Sequence, residues 1–310
     1  MINNLFIFIV ALFMVVKGAT MATKYAARIA ESFNISKYTA GFIIVAIISI
    51  LPETFIAVNS ALKGVPSFGL ATLLGSNVAD LTLVFATIVF FAGRGLKVEG
   101  KMLQNQAVYP FILLLPLVLG MNGHFSRLEG LALIIAGGIF YYMVLKNGHD
   151  NTIIPIADHN GRRKSFLLLL LSMAVLLAGS HFTVTSATEL ASSIGVDPIL
   201  IGMLIVGLGT TMPELFFSLR SVRRKDDALA VGDILGTVLA DATIVVGILA
   251  LINPFSFPQK TIYITGMFMV AASFVLFRFM KTGHVLTRKE ASFLFGFWCV
   301  FALVEFFANM

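Results

Sequence analysis

The sequence predicts an all-α integral membrane protein of ten transmembrane helices in two inverted five-helix repeats. Three observations carry that prediction. The 310 residues are 58% hydrophobic and only 12% charged, with a mean hydropathy of +0.94, a composition suited to a bilayer rather than to water. Ten apolar runs each approach the roughly 20 residues that a spanning helix needs. A long stretch of the first half also aligns without gaps with the second at a constant offset of 161 positions.

Short polar or Gly/Pro-marked breaks separate the runs. The first, near 3–20, opens on Met1-Ile2-Asn3-Asn4 and meets its first positive charges only after the apolar stretch. That order is not a cleavable signal peptide, so the segment reads as a retained helix. The second, near 38–62, contains Pro52-Glu53, and the third, 68–92, contains Asp80. The fourth and fifth, 106–122 and 127–146, complete an N-terminal unit over 1–146. A linker over 147–164, mixed in charge, leads to the C-terminal unit 165–310. There the sixth span, 165–186, ends in the polar stretch His181 to Ser193, and the seventh, 198–220, contains Pro213-Glu214. The eighth, 228–252, contains Asp241; the ninth and tenth lie near 259–280 and 288–308.

Sorting charge by side tests the span count. Of the 22 Lys and Arg, all but Lys63, Arg127 and Lys260 fall on one side of a ten-span arrangement. The positive-inside rule places that side, with the linker 147–164, in the cytoplasm of a cell membrane, and both termini outside. The net charge of +6 does not indicate nucleic acid, because the basic residues are spread over short loops rather than gathered in one patch. Cys299 is the single cysteine, which excludes a disulfide framework and a cysteine-rich metal site. The linker has no room for a soluble regulatory domain. The 29 phenylalanines serve packing and lipid contact, and no cofactor pattern is present.

At the 161-residue offset Gly18 meets Gly179, Gly41 meets Gly202, Val45 meets Val206 and Phe55 meets Phe216. The match runs on through Leu74/Leu235, Gly75/Gly236, Ala79/Ala240 and Thr82/Thr243. Five spans per half is an odd number, so the second copy enters the membrane from the opposite face. Many secondary transporters share this inverted architecture, with their sites near the midplane where the copies meet.

The pattern also pairs acids. Glu53 is followed 27 positions later by Asp80, and Glu214 is followed at the same spacing by Asp241. An ionisable group inside a span costs ~3 kcal/mol on insertion scales, so such residues point to function. No Lys or Arg lies near the centre of any span to pair with them. Pro52 and Pro213 each remove a backbone donor and disturb the preceding turn, so the second and seventh helices are expected to kink or unwind. Carbonyls freed at Ala46 to Ser49 and at Gly207 to Thr210 survive in lipid only in a protein-lined or wet cavity, where they can serve as cation ligands.

Packed together, the repeats bring Glu53, Asp80, Glu214 and Asp241 toward Ser49, Ser76, Thr210, Thr211 and Thr237, with backbone oxygens at Ala46 and Gly207. An oxygen-only set suits hard cations such as Ca²⁺, and the lack of accompanying histidine or cysteine argues against zinc and copper. His124, His149, His159 and His284 read as solvated, and His181 as a candidate pH-sensitive contact. Glu189 and Glu305, near span ends, read as water-facing.

On these residues the chain resembles the cation/Ca²⁺ exchanger superfamily, and within it the prokaryotic Na⁺/Ca²⁺ exchangers. The alpha repeats of that family correspond to about 41–84 and 202–245. Gly209-Thr210-Thr211-Met212-Pro213-Glu214 is similar to the family's G-T-S-x-P-E, and Gly75-Ser76-Asn77-Val78-Ala79-Asp80 to its G-S-N-x-x-[ND]. The resemblance implies that Glu53 and Glu214 are central cation ligands with Asp80 and Asp241 beside them. It further implies alternating access, in which a bundle of the first and sixth helices slides against the core. Ca²⁺ and Na⁺, or H⁺, are then substrates rather than cofactors, and lipid and inorganic cations are the partners.

Three departures bear on the coupling ion. Ile50 stands where the family has a hydroxyl that helps to hold Na⁺, and Asp80 where several relatives have Asn. Gly232-Asp233-Ile234-Leu235-Gly236-Thr237-Val238 replaces an Asn-rich segment. Crowded carboxylates take up protons more readily, so H⁺ coupling stands beside Na⁺ coupling, and Mg²⁺ or Mn²⁺ beside Ca²⁺. A cation channel and an intramembrane aspartyl protease using Asp80 and Asp241 are the remote alternatives. The protease reading lacks a Gly-x-Gly-Asp signature and leaves both Pro-Glu pairs without a role.

Overall fold

A computed structural model describes residues 2–30, 45–98, 108–147 and 162–309. Eight of the described helices are long and apolar enough to cross a membrane, and a shorter apolar helix covers Tyr109–Asn122. They match the expected spans except in three places. Most of the linker, together with the start of the second span and of the first alpha repeat, lies outside the described residues. The start of the fourth span, 106–107, also lies outside them. The sixth is longer, because the helix α8 (Arg162–Ile194) continues through the polar stretch where the sequence was expected to end it. Its hydroxyls explain the extension: Ser186, Thr188 and Ser192 each donate to the carbonyl four residues earlier, at 2.6 to 2.9 Å. A helix can carry such side chains without competing for solvent.

The chain order is α1 (Ile2–Ala30), α2 (Ala46–Ser49), α3 (Leu51–Leu62), α4 (Pro66–Ala79), α5 (Phe85–Ala92), β1 (Leu96–Lys97), α6 (Tyr109–Leu119), β2 (His124–Phe125) and α7 (Arg127–Asn147). After α8 come α9 (Pro198–Ile201), α10 (Gly207–Thr210), α11 (Met212–Arg223), α12 (Asp227–Ala240), α13 (Val246–Ile252), β3 (Phe255–Ser256), α14 (Gln259–Thr261), α15 (Met267–Lys281), β4 (Val285–Leu286) and α16 (Arg288–Ala308). Wider π turns splice α4 to α5 at Asp80–Val84 and α12 to α13 at Asp241–Val245. Others occur at Gly202–Val206 and Ile262–Gly266. The breaks themselves recur at the offset of the sequence: α2, α3 and α4 reappear as α10, α11 and α12, each 161 residues on. Two short antiparallel bridges tie loops together, Leu96 opposite Leu286 and His124 opposite Ser256.

Packing forms two hydrophobic clusters, which meet at Ile56 and Phe68. The larger core runs through α4, α12 and their π turns, and the spans Pro66–Ala92 and Asp227–Ile252 are the most deeply buried of the described spans. A second cluster joins α1 and α8 through Val15, Ala19, Leu176, Val184 and Ala187. Those two helices touch along their backbones: a Cβ on Gly18 would stand 3.0 Å from the Leu176 nitrogen, and one on Gly179 3.0 Å from the Val15 nitrogen. Small residues of this kind allow the close approach that drives helix pairing in lipid.

Candidate cation site

Each Pro-Glu pair starts a helix. Pro52 occupies the first turn of α3 after a break at Ile50 (ψ −5°), and Pro213 the first turn of α11 after a break at Thr211 (ψ −15°). The missing proline donor leaves the chain tightened rather than open, and N–H groups at the breaks reach the carbonyls of Ala46 and Ile48 in one copy and of Gly207 and Gly209 in the other. Glu53 and Glu214 therefore sit in the first turns of α3 and α11, where the helix dipole favours negative charge. Asp80 and Asp241 begin the two π turns, a feature frequent at functional sites.

The hydroxyls cluster around these breaks. Thr210 and Thr211 both donate to the Gly207 carbonyl, at 3.0 and 2.6 Å, and Ser76 donates to the Leu73 carbonyl at 3.0 Å. A donating hydroxyl keeps its lone pairs for another partner. The Ala46 carbonyl accepts the Ile50 N–H at 2.9 Å, whereas that of Gly207 takes the Thr211 N–H at 3.1 Å in addition to both hydroxyls. The Ala46 oxygen is thus the freer of the two.

All four acids are buried, and neither oxygen of Glu53, Asp80, Glu214 or Asp241 has a hydrogen-bond partner; the Thr237 hydroxyl has none either. Glu53 lies beside Thr210, and Glu53 and Asp80 are each within electrostatic range of both Glu214 and Asp241. No Lys or Arg is buried among the described residues. Nor do three acidic, histidine or cysteine side chains among them close on one point as a preformed metal cage. Hydroxyl and carbonyl oxygens would have to complete the coordination of any ion held there.

Sequence reasoning gave no site role to a fifth acid, Asp233, which is fully buried and accepts a hydrogen bond from Ser49 at 3.0 Å. Its signal was the spacing Asp233, Thr237, Asp241, two successive steps of four that align on one helix face. Glu305 is a correction. Rather than facing water it is buried, accepting the Thr265 hydroxyl at 2.5 Å and the Asn309 amide at 2.9 Å. Glu189 and His181 are exposed, and the His181 ring meets Phe182 edge-on.

The family model for sodium/calcium exchanger proteins matches residues 3–146 and 164–307. The chain belongs to the sodium/calcium exchanger family. It is a multi-pass membrane antiporter of the cation/Ca²⁺ type, and not an enzyme. The exchanger is 24% identical to the sodium/calcium exchanger MaX1 of Methanosarcina acetivorans, over 98% of this chain and 99% of that one. It is 25% identical to the uncharacterized membrane protein MJ0091 of Methanocaldococcus jannaschii, over 90% of each. In fold it matches the sodium-calcium exchanger NCX_Mj soaked with 2.5 mM Na⁺ and 10 mM Sr²⁺, with a TM-score of 0.72 at 22% identity, over 96% of this chain and 97% of that one.

Proposed function

We propose that the exchanger exports Ca²⁺ against inward Na⁺ by alternating access, with Glu53 and Glu214 shared between the competing ions. One observation carries the reading: buried carboxylate oxygens of Glu53, Asp80, Glu214 and Asp241 that no donor satisfies. Buried charge without a partner is strongly unfavourable, and a cation bound among these groups supplies the missing counter-charge. Ser49, Ser76, Thr210, Thr211 and Thr237, with the Ala46 and Gly207 carbonyls, complete an oxygen shell of the kind that Ca²⁺ accepts. Two acids bridging one Ca²⁺ lose that geometry when separate monovalent ions draw them apart, which gives exclusion through differential binding. The two halves are inverted copies, the termini face outward and the linker is cytoplasmic, in keeping with the positive-inside rule. The close backbone pairing of α1 with α8 supports movement of that pair as one unit against the core.

Counterflow in sealed proteoliposomes tests this. Ca²⁺ uptake is expected to follow an imposed Na⁺ gradient, and uptake indifferent to Na⁺ would reject Na⁺ coupling. Proton coupling is the second reading, favoured by the buried Ile50 at a position where a hydroxyl would hold Na⁺ and by the acid at Asp80. Flux driven by a pH gradient without Na⁺ would promote it.

A further inference from the structure

Asp233 lies on α12 one turn before Thr237 and two before Asp241, on their helix face. Ser49, from the other half of the chain, donates to its Oδ1 at 3.0 Å, and its Oδ2 meets no donor. A fully buried carboxylate with one bond from a neutral hydroxyl is poorly compensated for the loss of water. The charged side chains within range of it are Glu53, Asp80 and Glu214, all of the same sign. No Lys or Arg is buried among the described residues to compensate it, which leaves that role to a bound cation or to a proton. At the equivalent position of the first half stands Thr72, whose hydroxyl bonds its own helix at Phe68, 2.9 Å away. The fifth acid is thus a property of one half only.

We propose that Asp233 is a positioning and specificity-determining residue of the cation site, holding the Ser49 hydroxyl proton so that the Ser49 oxygen turns its lone pairs to the ion. A hydroxyl has one proton to give and two lone pairs to offer, so a fixed acceptor on one side directs its oxygen to the other. Carboxylates behind a ligand also raise its basicity. The added negative charge attracts a divalent ion twice as strongly as a monovalent one at the same distance. Asp233 therefore biases the competition toward the divalent substrate.

The inference rests on the cation-antiporter reading, and the wild-type protein separates the two. Absence of Ca²⁺ counterflow in wild-type proteoliposomes would overturn both. With wild-type exchange present, Asp233→Asn keeps an acceptor for Ser49 and removes the charge. Its KM for Ca²⁺ is expected to rise roughly tenfold, with the maximal rate within about twofold of wild type and the half-inhibiting Na⁺ concentration shifting by less than about threefold. Asp233→Leu removes the acceptor too, and in that background Ser49→Ala is expected to add little to the loss. Calcium titration of the detergent-solubilised Asp233→Asn protein repeats the test without transport, and carries it alone if the leucine variant does not fold. An unchanged Ca²⁺ affinity in Asp233→Asn, or equal shifts for Ca²⁺ and Na⁺, would overturn the proposal.

Discussion

Arg94 grips Asp227 with two parallel bonds, Nη1 to Oδ2 and Nη2 to Oδ1, each 2.6 Å long. The fork joins the segment after α5 to the first residue of α12, so it ties the two halves of the exchanger together. The Lys97 N–H adds a bond to Oδ2 at 2.9 Å, and Arg94 also reaches the Val222 carbonyl at 3.3 Å. The carboxylate is nearly buried while a third of the arginine side chain is exposed. The Asp227 hydrogen bond holds the guanidinium pKa above even its usual high value. Planar two-point pairing of this kind is not reproduced by lysine.

Removing one partner leaves the other unsatisfied. Arg94→Ala leaves the nearly buried Asp227 carboxylate without its counter-charge and is expected to lower the stability of the solubilised protein by about 1–3 kcal/mol, and Asp227→Ala by less, because the guanidinium left behind reaches water. The double variant should lose less than the two single losses combined. Denaturation of the four proteins in detergent measures this, and additive losses would mean that the pair is not coupled.

Close backbone approach predicts a contrast between two glycines. A Cβ on Gly75 would stand 2.3 Å from the Met203 carbonyl oxygen, a backbone atom that cannot swing aside, whereas one on Gly138 meets nothing within 4 Å. Gly75→Ala is expected to destabilise by about 1–3 kcal/mol or more. Gly138→Ala is expected to be neutral or to stabilise by up to about 1 kcal/mol, from helix propensity. Melting temperatures in one detergent decide it, and equal effects would contradict the packing of α4 on the π turn at Gly202–Val206.

Much of this architecture is legible in the residues because lipid imposes strong rules. Apolar length marks most spans, and Pro52 and Pro213 mark the helix breaks, since a missing N–H cannot be replaced. The π turns at Asp80 and Asp241 leave no such mark, because packing rather than residue type sets the wider turn. Hydropathy also hides the full length of α8, whose Ser and Thr side chains satisfy themselves on its own carbonyls. Asp233 and Glu305 escaped for one reason: a local window cannot supply the partner that buries them, Ser49 for one and Thr265 for the other.

The proposed ligands make a direct prediction. Glu53→Gln and Glu214→Gln each remove one charge from a set with no basic counterpart, and Ca²⁺ counterflow is expected to fall by roughly 100-fold or more in each. Folding should survive, because a neutral amide is easier to bury than an unpaired carboxylate. Retained exchange in both variants would refute their role as ligands.

Lys63 ties the core to the helix pair proposed to slide. Its ammonium, in the loop after α3, donates to the His181 carbonyl on α8 at 2.7 Å and to the Thr185 hydroxyl, and nearby Asn59 donates to Ser180 at 2.8 Å. If α8 moves past the core in each cycle, these ties break in each cycle and set part of the barrier. Lys63→Met is expected to speed amide exchange over residues 181–189 roughly fivefold, the size expected for a partly exposed charged hydrogen bond. A pH effect accompanies it. Partial burial holds the Lys63 pKa below the ordinary lysine value, with the charge of Glu189 acting in the opposite sense. The folded protein therefore releases this proton at lower pH than the unfolded chain, so stability should rise with pH through that alkaline window. The slope should vanish in Lys63→Met. Unchanged exchange over 181–189 in that variant would show that the contact does not restrain α8, and an alkaline slope surviving the substitution would assign it to another group.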